Sequence, residues 1–229
     1  MDTNLSITES FEQSISSKSL DLGVDTAEVV LDSFMDDGIL KEIPIVKYAV
    51  SAYKIIDDLK GRYFIRKLRE FIVSFNSNLA TQEEVEQRKA KILNKNRDSE
   101  LAYITILIDR YLDFKKPDVL AKIYLAYLDN KMSWDEFCTY SEIIDKLLLN
   151  DLSYLIDNPK VITQNNIVSP ELLRLSAVGF MNGFQNNSPF ESDGRGGLAI
   201  FGDSFERVNN KEKVFEITDF GRKFVEILS

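Results

Sequence analysis

The sequence predicts a mainly α-helical protein, an irregular helical bundle with a small C-terminal α+β winged-helix-like unit. Three observations predict this fold class. Apolar residues recur at helical spacing through most of the chain before Asn158-Pro159. Two Ser/Thr-x-x-Glu sequences that can form capping boxes precede such stretches. After Asn158-Pro159 the pattern changes to short apolar segments separated by Gly- and Asn-rich turns, which is typical of strands.

The composition is that of a globular protein with an acidic surface. Of the 229 residues, 44% are hydrophobic and 28% are charged, which suits a chain that buries a core. The net charge of −9 disfavours nucleic acid as a partner, because phosphate backbones repel an acidic chain. Cys138 is the only cysteine, so the chain forms no internal disulfide and suits a reducing compartment. Because the sequence after Met1 has no leader-like segment and no apolar run of membrane length follows, we expect a cytoplasmic protein.

Histidine is absent from the sequence. This excludes Ser-His-Asp and Cys-His nucleophile systems, imidazole general bases and imidazole metal ligands. Adjacent carboxylates such as Asp57 and Asp58 point in different directions on a helix and so do not share a site. The three Asp-x-Lys sequences, which a metal-dependent nuclease would carry on a strand, begin at helix ends, at Asp58, Asp113 and Asp129. We therefore expect a protein that is not an enzyme and that needs no metal or cofactor.

The N-terminal third predicts a polar arm followed by three helices. Residues 1–23 are rich in Ser and Thr and are interpreted as the arm, helical in part. A first helix is predicted over residues 25–37, with a glycine as its stop. Pro44 suits the first turn of a second helix, over residues 44–59, whose wide apolar stripe predicts a central position in the bundle. A third helix is predicted over residues 62–75.

The third helix has an apolar face and a basic face. The cations assigned to the basic face are Lys60, Arg62, Arg66, Lys67 and Arg69. Such a face would suit an anionic lipid, a phosphate-bearing ligand or an acidic partner. The alternative is that these cations pair with carboxylates of the same chain. The 37 Asp and Glu residues favour this internal pairing, and the face remains the main candidate for a binding site.

Further helices complete the predicted bundle. Thr81–Glu84 predicts a capping box for a short charged helix, and Ser133–Glu136 predicts a second one. Lys116-Pro117-Asp118 ends one helix and starts the next. Cys138, with no histidine to activate its thiol, is expected to be a small buried side chain. The helix after Asp98 has a strong apolar stripe, which consists of Leu101, Ile104, Ile108, Tyr111 and Leu112.

The last part of the chain predicts a helix, a hairpin and a helix. Ser169-Pro170 starts a short helix. Strands are predicted at Leu198–Phe201 and Lys213–Ile217, on either side of a turn. Thr218 caps a last helix over Asp219–Leu228. The polar arm, the helical bundle and the winged-helix-like unit are predicted at residues 1–23, 24–158 and 159–229.

The C-terminal unit lacks the charge of a DNA-reading module. Residues 160–229 contain eight Lys or Arg and nine Asp or Glu, which gives a net charge of −1. DNA-binding modules normally present a clear basic patch. Arg195 lies in the loop Asp193–Gly197, which leads into an apolar strand, whereas a phosphate-binding loop leads into a helix. We therefore interpret the loop as a wing tip and favour a docking or packing role for the unit.

Two sets of short segments resemble known families. Phe215–Phe224, which contains the sequence I-T-D-F-G, resembles the L-T-x-x-G strand-to-helix step near the end of winged-helix domains. Leu175–Phe180 resembles the helix end before a wing. The segments Leu40–Val46, Arg62–Phe71 and Ile217–Gly221 together resemble a family of uncharacterised bacterial proteins with L-K-x-I-P-I-V, R-x-x-F-x-x-K-L-x-x-F and L-T-x-F-G sequences. That resemblance implies a bacterial or phage-related setting near antiviral defence genes, and it implies no catalytic residues.

The function expected from the sequence is non-catalytic. We expect protein–protein contacts, with the chain as an accessory or effector subunit of a bacterial anti-phage system, and with another protein or a second copy of the chain as partner. One alternative is a winged-helix DNA-binding regulator. Another is a membrane-acting effector that uses residues 39–75, where an apolar helix precedes the basic one. Nucleic acid and membrane surfaces are the less favoured partners.

Overall fold

A computed structural model confirms the predicted fold class, since the chain is mainly helical with a small α+β part near its C-terminus. The described residues are 7–15, 44–45, 59–77, 82–93, 97–158, 160, 162–164, 168–185 and 213–228. The helices are α1 (Ile7–Ile15), α2 (Leu59–Asn76), α3 (Gln82–Leu93), α4 (Arg97–Arg110), α5 (Lys116–Leu128), α6 (Trp134–Lys146), α7 (Leu149–Asp157), α8 (Pro170–Ala177) and α9 (Asp219–Leu228). The strands are β1 (Ile162–Gln164), β2 (Met181–Gln185) and β3 (Lys213–Ile217).

Several predicted features lie outside the described residues. They are the helix over residues 25–37, the greater part of the helix over residues 44–59, the capping residue Thr81, the strand Leu198–Phe201 and Arg195. Of the central helix, Pro44 and Ile45 are described and are helical. The chain divides into two compact units, Met1–Leu149 and Asn150–Ile227. The sequence predicted a division after residue 158, which would place α7 in the bundle. In the structure, almost all of α7 belongs to the second unit.

Helix α1 falls within the segment interpreted as a polar arm, yet it packs as part of the bundle. Its residues Phe11 and Ile15 are fully buried. The Phe11 ring lies 5.5 Å from the Phe71 ring of α2, measured between centroids. Ser14 is also buried, and its hydroxyl accepts a hydrogen bond of 3.0 Å from the backbone N–H of Ile45. This apolar face was not predicted, because Ser and Thr dominate the composition of residues 1–23.

Aromatic rings of α2 and α5 occupy the middle of the first unit. The Phe75 ring lies 5.8 Å from the Phe71 ring and 5.7 Å from the Tyr124 ring. All three side chains are fully buried. The predicted apolar face of α2 is therefore confirmed at Leu68, Phe71 and Phe75, whereas Phe64 is half-buried. Burial of this aromatic surface stabilises the bundle.

Two predicted helix starts in the described residues are confirmed by their capping hydrogen bonds. Ser133 accepts a hydrogen bond of 3.2 Å from the N–H of Glu136, whose carboxylate accepts one of 2.8 Å from the N–H of Ser133. This reciprocal pair is the capping box expected for α6. Ser169 accepts a hydrogen bond of 3.4 Å from the N–H of Leu172 at the start of α8. These bonds satisfy backbone donors that a helix leaves free in its first turn.

Cationic side chains bind the C-terminal ends of neighbouring helices in the first unit. Arg88 of α3 donates to the carbonyl oxygen of Phe75 near the end of α2. Lys116, at the start of α5, donates a hydrogen bond of 2.8 Å to the carbonyl oxygen of Asp145 near the end of α6. The last carbonyls of a helix lack partners within it and carry partial negative charge. Each cation therefore satisfies carbonyl groups and complements the helix dipole.

The second unit contains a three-stranded antiparallel sheet in the order β1-β3-β2. Strand β3 confirms the predicted strand at Lys213–Ile217. Its described neighbours were not predicted, because β1 has three residues and β2 reads Met-Asn-Gly-Phe-Gln, which looks like a polar turn. Gly183 of β2 lies opposite Phe215 of β3. A Cβ atom at Gly183 would lie 2.8 Å from the Phe215 ring, so a larger residue there would require this ring to move.

Candidate functional site on α2 and the α4–α5 turn

The five cations predicted as one basic face of α2 differ widely in exposure. The side chain of Lys60 is 78% exposed, whereas Lys67 is 5% exposed. Seven residues separate the two lysines, which is about two helical turns, so both project from nearly the same side of α2. Lys60 forms an ion pair of 3.8 Å with Asp109, at the end of α4. This side of α2 is open to solvent at Lys60 but is covered by the end of α4 at Lys67. Lys67 is therefore not part of an exposed face.

Lys67 holds the C-terminal end of α4. Its ammonium group donates hydrogen bonds to the carbonyl oxygens of Asp109 and Tyr111, the latter at 2.8 Å. Burial lowers the pKa of Lys67, while the nearby Asp109 carboxylate acts in the opposite direction and Lys60 adds to the lowering. A lysine in this position is a structural cap of the helix, because its donors are taken up by backbone carbonyls.

The turn between α4 and α5 presents an aromatic and cationic surface. The Tyr63 ring of α2 lies 4.8 Å from the Phe114 ring of the turn. The guanidinium carbon of Arg66 lies 4.0 Å from the centroid of the same ring, which is a cation–π distance. Leu112 lies two residues before Phe114 in this turn. We call Tyr63, Arg66, Leu112 and Phe114 the Phe114 platform.

Leu112 was predicted as part of the buried stripe of α4, and this prediction is wrong. Leu112 is 92% exposed because α4 ends at Arg110 and the stripe ends with Tyr111. The Tyr111 side chain is buried and donates a hydrogen bond of 3.1 Å to the carbonyl oxygen of Ser141. Once Tyr111 points into the core, the next residue of the turn points outward. The Asp113 carboxylate then accepts a hydrogen bond of 2.8 Å from the N–H of Lys115 and fixes the turn.

The remaining cations of α2 are partly engaged within the chain. Arg69 forms an ion pair of 3.1 Å with the neighbouring Glu70, and the Arg69 side chain is only 14% exposed. Arg62 is half-buried. Lys60 and Arg69 form ion pairs with carboxylates of the same chain, as the internal-pairing alternative expects. Lys67 instead binds backbone carbonyls, and Arg66 lies on the Phe114 ring. The part of the basic face that is open to solvent is the start of α2, which carries Lys60. Tyr63 and Arg66 of the Phe114 platform follow Lys60 along this helix.

A buried polar cluster in the same unit was missed by the sequence analysis. Glu100, in the first turn of α4, is 4% exposed and accepts a hydrogen bond of 2.6 Å from the hydroxyl of Tyr127. Its other carboxylate oxygen is buried and has no hydrogen-bond partner among the described residues. The same holds for the hydroxyl oxygen of Tyr124. Tyr124 and Tyr127 are spaced three apart on α5, and this spacing is the one sequence signal that could have indicated a shared polar site.

Cys138 lies beside this cluster and is not a reactive thiol. It is half-buried, not fully buried as expected from the sequence. Burial raises the pKa of the Cys138 thiol, and the nearby carboxylates of Asp135, Glu142 and Glu100 raise it further, while a hydrogen bond with the Tyr103 hydroxyl opposes them. A raised pKa keeps the thiol protonated at neutral pH, and the thiol is the less nucleophilic form.

The second unit contains a buried ion pair between α7 and α8. The Asp151 side chain is fully buried, and the Arg174 side chain is 36% exposed. The Arg174 guanidinium donates three hydrogen bonds of 2.6 to 3.0 Å to the two carboxylate oxygens. This bidentate geometry is the strong form of an Arg–carboxylate pair. Its place between two helices indicates a structural function.

The I-T-D-F-G sequence has a structural explanation in this unit. The Thr218 hydroxyl accepts a hydrogen bond of 3.0 Å from the N–H of Gly221, which confirms Thr218 as the cap of α9. The same hydroxyl donates a hydrogen bond of 2.7 Å to the carbonyl oxygen of Gly179. A Cβ atom at Gly221 would collide with the carbonyl oxygen of Phe180, so the glycine allows α9 to approach that backbone. The motif therefore fixes α9 against the end of α8 and needs no ligand to explain it.

The second unit offers little for the DNA-binding alternative in the residues that the structure describes. A helix-turn-helix places two consecutive helices before the hairpin, with the second in the major groove. Between β1 and β2, α8 is the one helix described, and it ends directly before β2 at Gly179, whose φ is +81°. The winged-helix resemblance remains a prediction.

Comparison with protein-family models, with curated proteins and with solved structures found no match to this chain. The two resemblances of the sequence therefore stay predictions. Within the described ranges, no helix has the length and apolar character that crossing a membrane requires. The same residues hold no group of three or more Cys, Asp or Glu side chains placed to bind a metal ion.

Proposed function

We propose that this protein acts without catalysis, by binding another protein through the Phe114 platform. The observation that carries the proposal is the 92% exposure of Leu112, two residues before Phe114, whose ring contacts Tyr63 and Arg66. A single exposed leucine is common on protein surfaces. The same turn carries Phe114 with Tyr63 and Arg66 against its ring, and Tyr and Arg are enriched among the residues that dominate protein interfaces.

The rigidity of the turn supports this proposal. Lys67 binds the carbonyl oxygen of Tyr111, and the Tyr111 hydroxyl binds α6, so the backbone directly before Leu112 is held at two points. Asp113 closes the turn on its other side. A surface that is already ordered loses less conformational entropy when a partner binds. The leucine is therefore presented in a fixed position.

The charges around the platform indicate the chemistry of the partner. Lys60 and Lys115 are exposed, and Arg66 lies on the Phe114 ring. The partner surface that fits best has an apolar recess for Leu112 and carboxylates around it. The chain as a whole is acidic, with a net charge of −9, so a complementary charge at one patch would also orient the encounter.

The experiment compares three forms of the full-length protein as bait in its host cells. The wild type and Ile106→Ser should capture the same partner, because Ile106 is 62% exposed on α4 but is not part of the platform. The double variant Leu112→Ser, Arg66→Ala should lose that partner while its circular dichroism spectrum stays unchanged. A wild type that is a monomer without any partner contradicts the proposal, and so does equal loss of the partner in Ile106→Ser.

Two parallel assays separate this proposal from the alternatives. Flotation with vesicles that contain anionic lipid should leave the protein at the bottom of the gradient, and flotation that depends on Leu112 would favour the membrane-acting effector instead. A gel-shift assay at low salt should give no shift, because low salt favours even weak phosphate contacts.

For the setting of this contact, we propose the bacterial cytoplasm and an accessory or effector function in anti-phage defence. The support is the resemblance of Leu40–Val46, Arg62–Phe71 and Ile217–Gly221 to the bacterial family described above, together with the single, free Cys138. Deletion of the gene should increase plaque formation by phages of the host. Restoration of phage resistance by the wild-type gene, but not by the double variant Leu112→Ser, Arg66→Ala, would show that defence depends on the platform. Unchanged plaque numbers for a broad phage panel would contradict the setting and leave the binding proposal intact.

A further inference from the structure

Two buried oxygen atoms of the Glu100 cluster have no hydrogen-bond partner among the described residues. They are the second carboxylate oxygen of Glu100 and the hydroxyl oxygen of Tyr124. Glu100 is 4% exposed and Tyr124 is fully buried. The Tyr127 hydroxyl donates a hydrogen bond of 2.6 Å to Glu100, and the Tyr124 ring lies 6.0 Å from the Tyr127 ring. Burial raises the pKa of both tyrosines, and the Glu100 carboxylate raises it further. Buried polar atoms are normally hydrogen-bonded, so two such atoms around one carboxylate require an explanation.

The charge of Glu100 is only partly compensated within the described part of the chain. Its position in the first turn of α4 places it near the positive end of the helix dipole. No described cationic side chain pairs with it. Arg110, at the other end of α4, forms ion pairs of 2.9 Å with Glu142 and with Asp145. Buried carboxylates usually have a cationic partner, because desolvation of an unpaired charge is costly.

Aromatic side chains pack beside Tyr127 of the cluster. Trp134 and Tyr103 are half-buried, and their rings lie 5.7 Å apart at an angle of 67°. The Tyr127 ring lies 5.2 Å from Trp134 at 57°. Tilted ring faces attract cations through their quadrupoles. The carboxylates of Asp135 and Glu142 act with that of Glu100 on the adjacent Cys138, so the surroundings are acidic.

We propose that this cluster is a binding site for a primary alkylammonium group. The ammonium N–H groups would donate to the unpartnered carboxylate oxygen of Glu100 and to the hydroxyl oxygen of Tyr124, while Trp134 and Tyr103 cover the alkyl chain. An ionised carboxylate accepts hydrogen bonds and cannot donate them, so an anionic ligand does not fit. A free alkylamine and a lysine side chain of another protein share this chemistry. The site is independent of the Phe114 platform.

The single tryptophan of the chain gives a direct measurement. Titration of the full-length protein with n-butylammonium chloride should change the Trp134 fluorescence in a saturable way and raise the melting temperature. Sodium chloride at the same concentration corrects for ionic strength. The neutral analogue n-butanol should bind at least tenfold more weakly, since it brings no charge to Glu100.

Three variants test the assignment of residues. Glu100→Gln and Tyr124→Phe should each weaken n-butylammonium binding at least tenfold. Asp135→Asn removes an exposed negative charge near the site without changing either unpartnered oxygen, so its affinity should stay within about twofold of the wild type. If Glu100→Gln does not fold, Tyr124→Phe still tests the site, because it removes only one hydroxyl group.

The outcomes are distinct. Absence of a saturable response in the folded wild type overturns the proposal, as does equal binding of n-butanol. Equal weakening by Asp135→Asn and Glu100→Gln also overturns it, because the effect would then come from general negative charge. Titration with Nα-acetyl-lysinamide distinguishes the two sources of the ligand. Binding at least tenfold tighter than that of n-butylammonium indicates a lysine of a protein, and weaker binding indicates a free amine.

Discussion

The ammonium nitrogen of Lys67 lies 2.8 Å from the carbonyl oxygen of Tyr111, and this hydrogen bond joins α2 to the end of α4. The carbonyl belongs to the residue that follows α4, where backbone acceptors have no partner within the helix. The same ammonium binds the carbonyl of Asp109. A buried cation is therefore stabilised by helix-end carbonyls, and it positions the backbone that presents Leu112.

Substitution of Lys67 by methionine tests this relationship. The substitution keeps the apolar stem but removes the donor, so the carbonyls of Asp109 and Tyr111 lose a partner. We expect the free energy of unfolding to fall by about 1–3 kcal/mol, the range for a buried polar group left without its hydrogen bond. Urea unfolding followed by circular dichroism measures this change.

The matched control is Lys60→Met on the same helix. Lys60 is largely exposed and its ion pair with Asp109 is 3.8 Å long, so its removal should leave stability unchanged within error. Equal stability of Lys67→Met and Lys60→Met would contradict the function of Lys67 as a helix cap.

Buried tyrosines should make the protein sensitive to alkaline pH. Burial, with a smaller contribution from Glu136, raises the pKa of Tyr140 to about 12. The folded-state pKa lies above the unfolded value of about 10, so the stability that Tyr140 contributes is complete below pH 10 and is lost as the pH rises towards 12. Burial also raises the pKa of Tyr111, Tyr124 and Tyr127. We therefore expect a steep loss of stability above about pH 10.

Substitution of Tyr140 by phenylalanine should reduce this loss. One pKa unit corresponds to about 1.4 kcal/mol, so the variant should lose roughly 2 kcal/mol less than the wild type between pH 9 and 12. Urea unfolding at a series of pH values gives the slopes, and Tyr154→Phe, at a half-buried position of α7, serves as the control. Identical slopes for the wild type and Tyr140→Phe would show that Tyr140 does not contribute.

Local features of the fold could be predicted from the sequence because they depend on neighbouring residues. The capping box of Ser133 and Glu136 and the Thr218 cap are each made within four residues. The apolar face of α2 also follows from spacing alone. Strand β3 was recognisable because Val214, Phe215 and Ile217 are typical strand residues.

The candidate site could not be predicted because it depends on contacts between distant residues. In the sequence, Lys67 does not differ from the other cations of α2. It caps a helix because the end of α4, more than 40 residues later, supplies the carbonyl that it binds. Leu112 continues the apolar spacing of α4, yet the helix ends two residues earlier. Strand β2 lacks β-branched residues, and its pairing with β3 across 28 or more positions defines it.

The buried ion pair of the second unit gives a prediction for Arg174. Replacement of Arg174 by methionine leaves the fully buried Asp151 carboxylate without the three hydrogen bonds that it accepts now. Removal of one partner from a buried pair is strongly destabilising because the other charge stays buried. We expect a clear decrease in the melting temperature of the full-length protein.

The control for this prediction is Arg222→Met. Arg222 pairs with Asp219 at 2.8 Å on the surface of α9, where the Asp219 side chain is 98% exposed. Exposed pairs contribute little, so the melting temperature should hardly change. A decrease for Arg174→Met that is no larger than that of Arg222→Met would contradict a stabilising function of the Asp151 pair.

Gly221 should tolerate no larger side chain, because α9 passes directly against the backbone at Phe180. A Cβ atom at position 221 would collide with the Phe180 carbonyl oxygen, which also accepts a hydrogen bond of 3.0 Å from the N–H of Thr218. Gly221→Ala must therefore move α9 and weaken this bond, although alanine is the better helix former. We expect a loss of about 1–3 kcal/mol in urea unfolding, the range for overpacking. Glu226→Ala, at an exposed position of the same helix, should be neutral, and a stabilised Gly221→Ala would show that helix propensity outweighs the close approach.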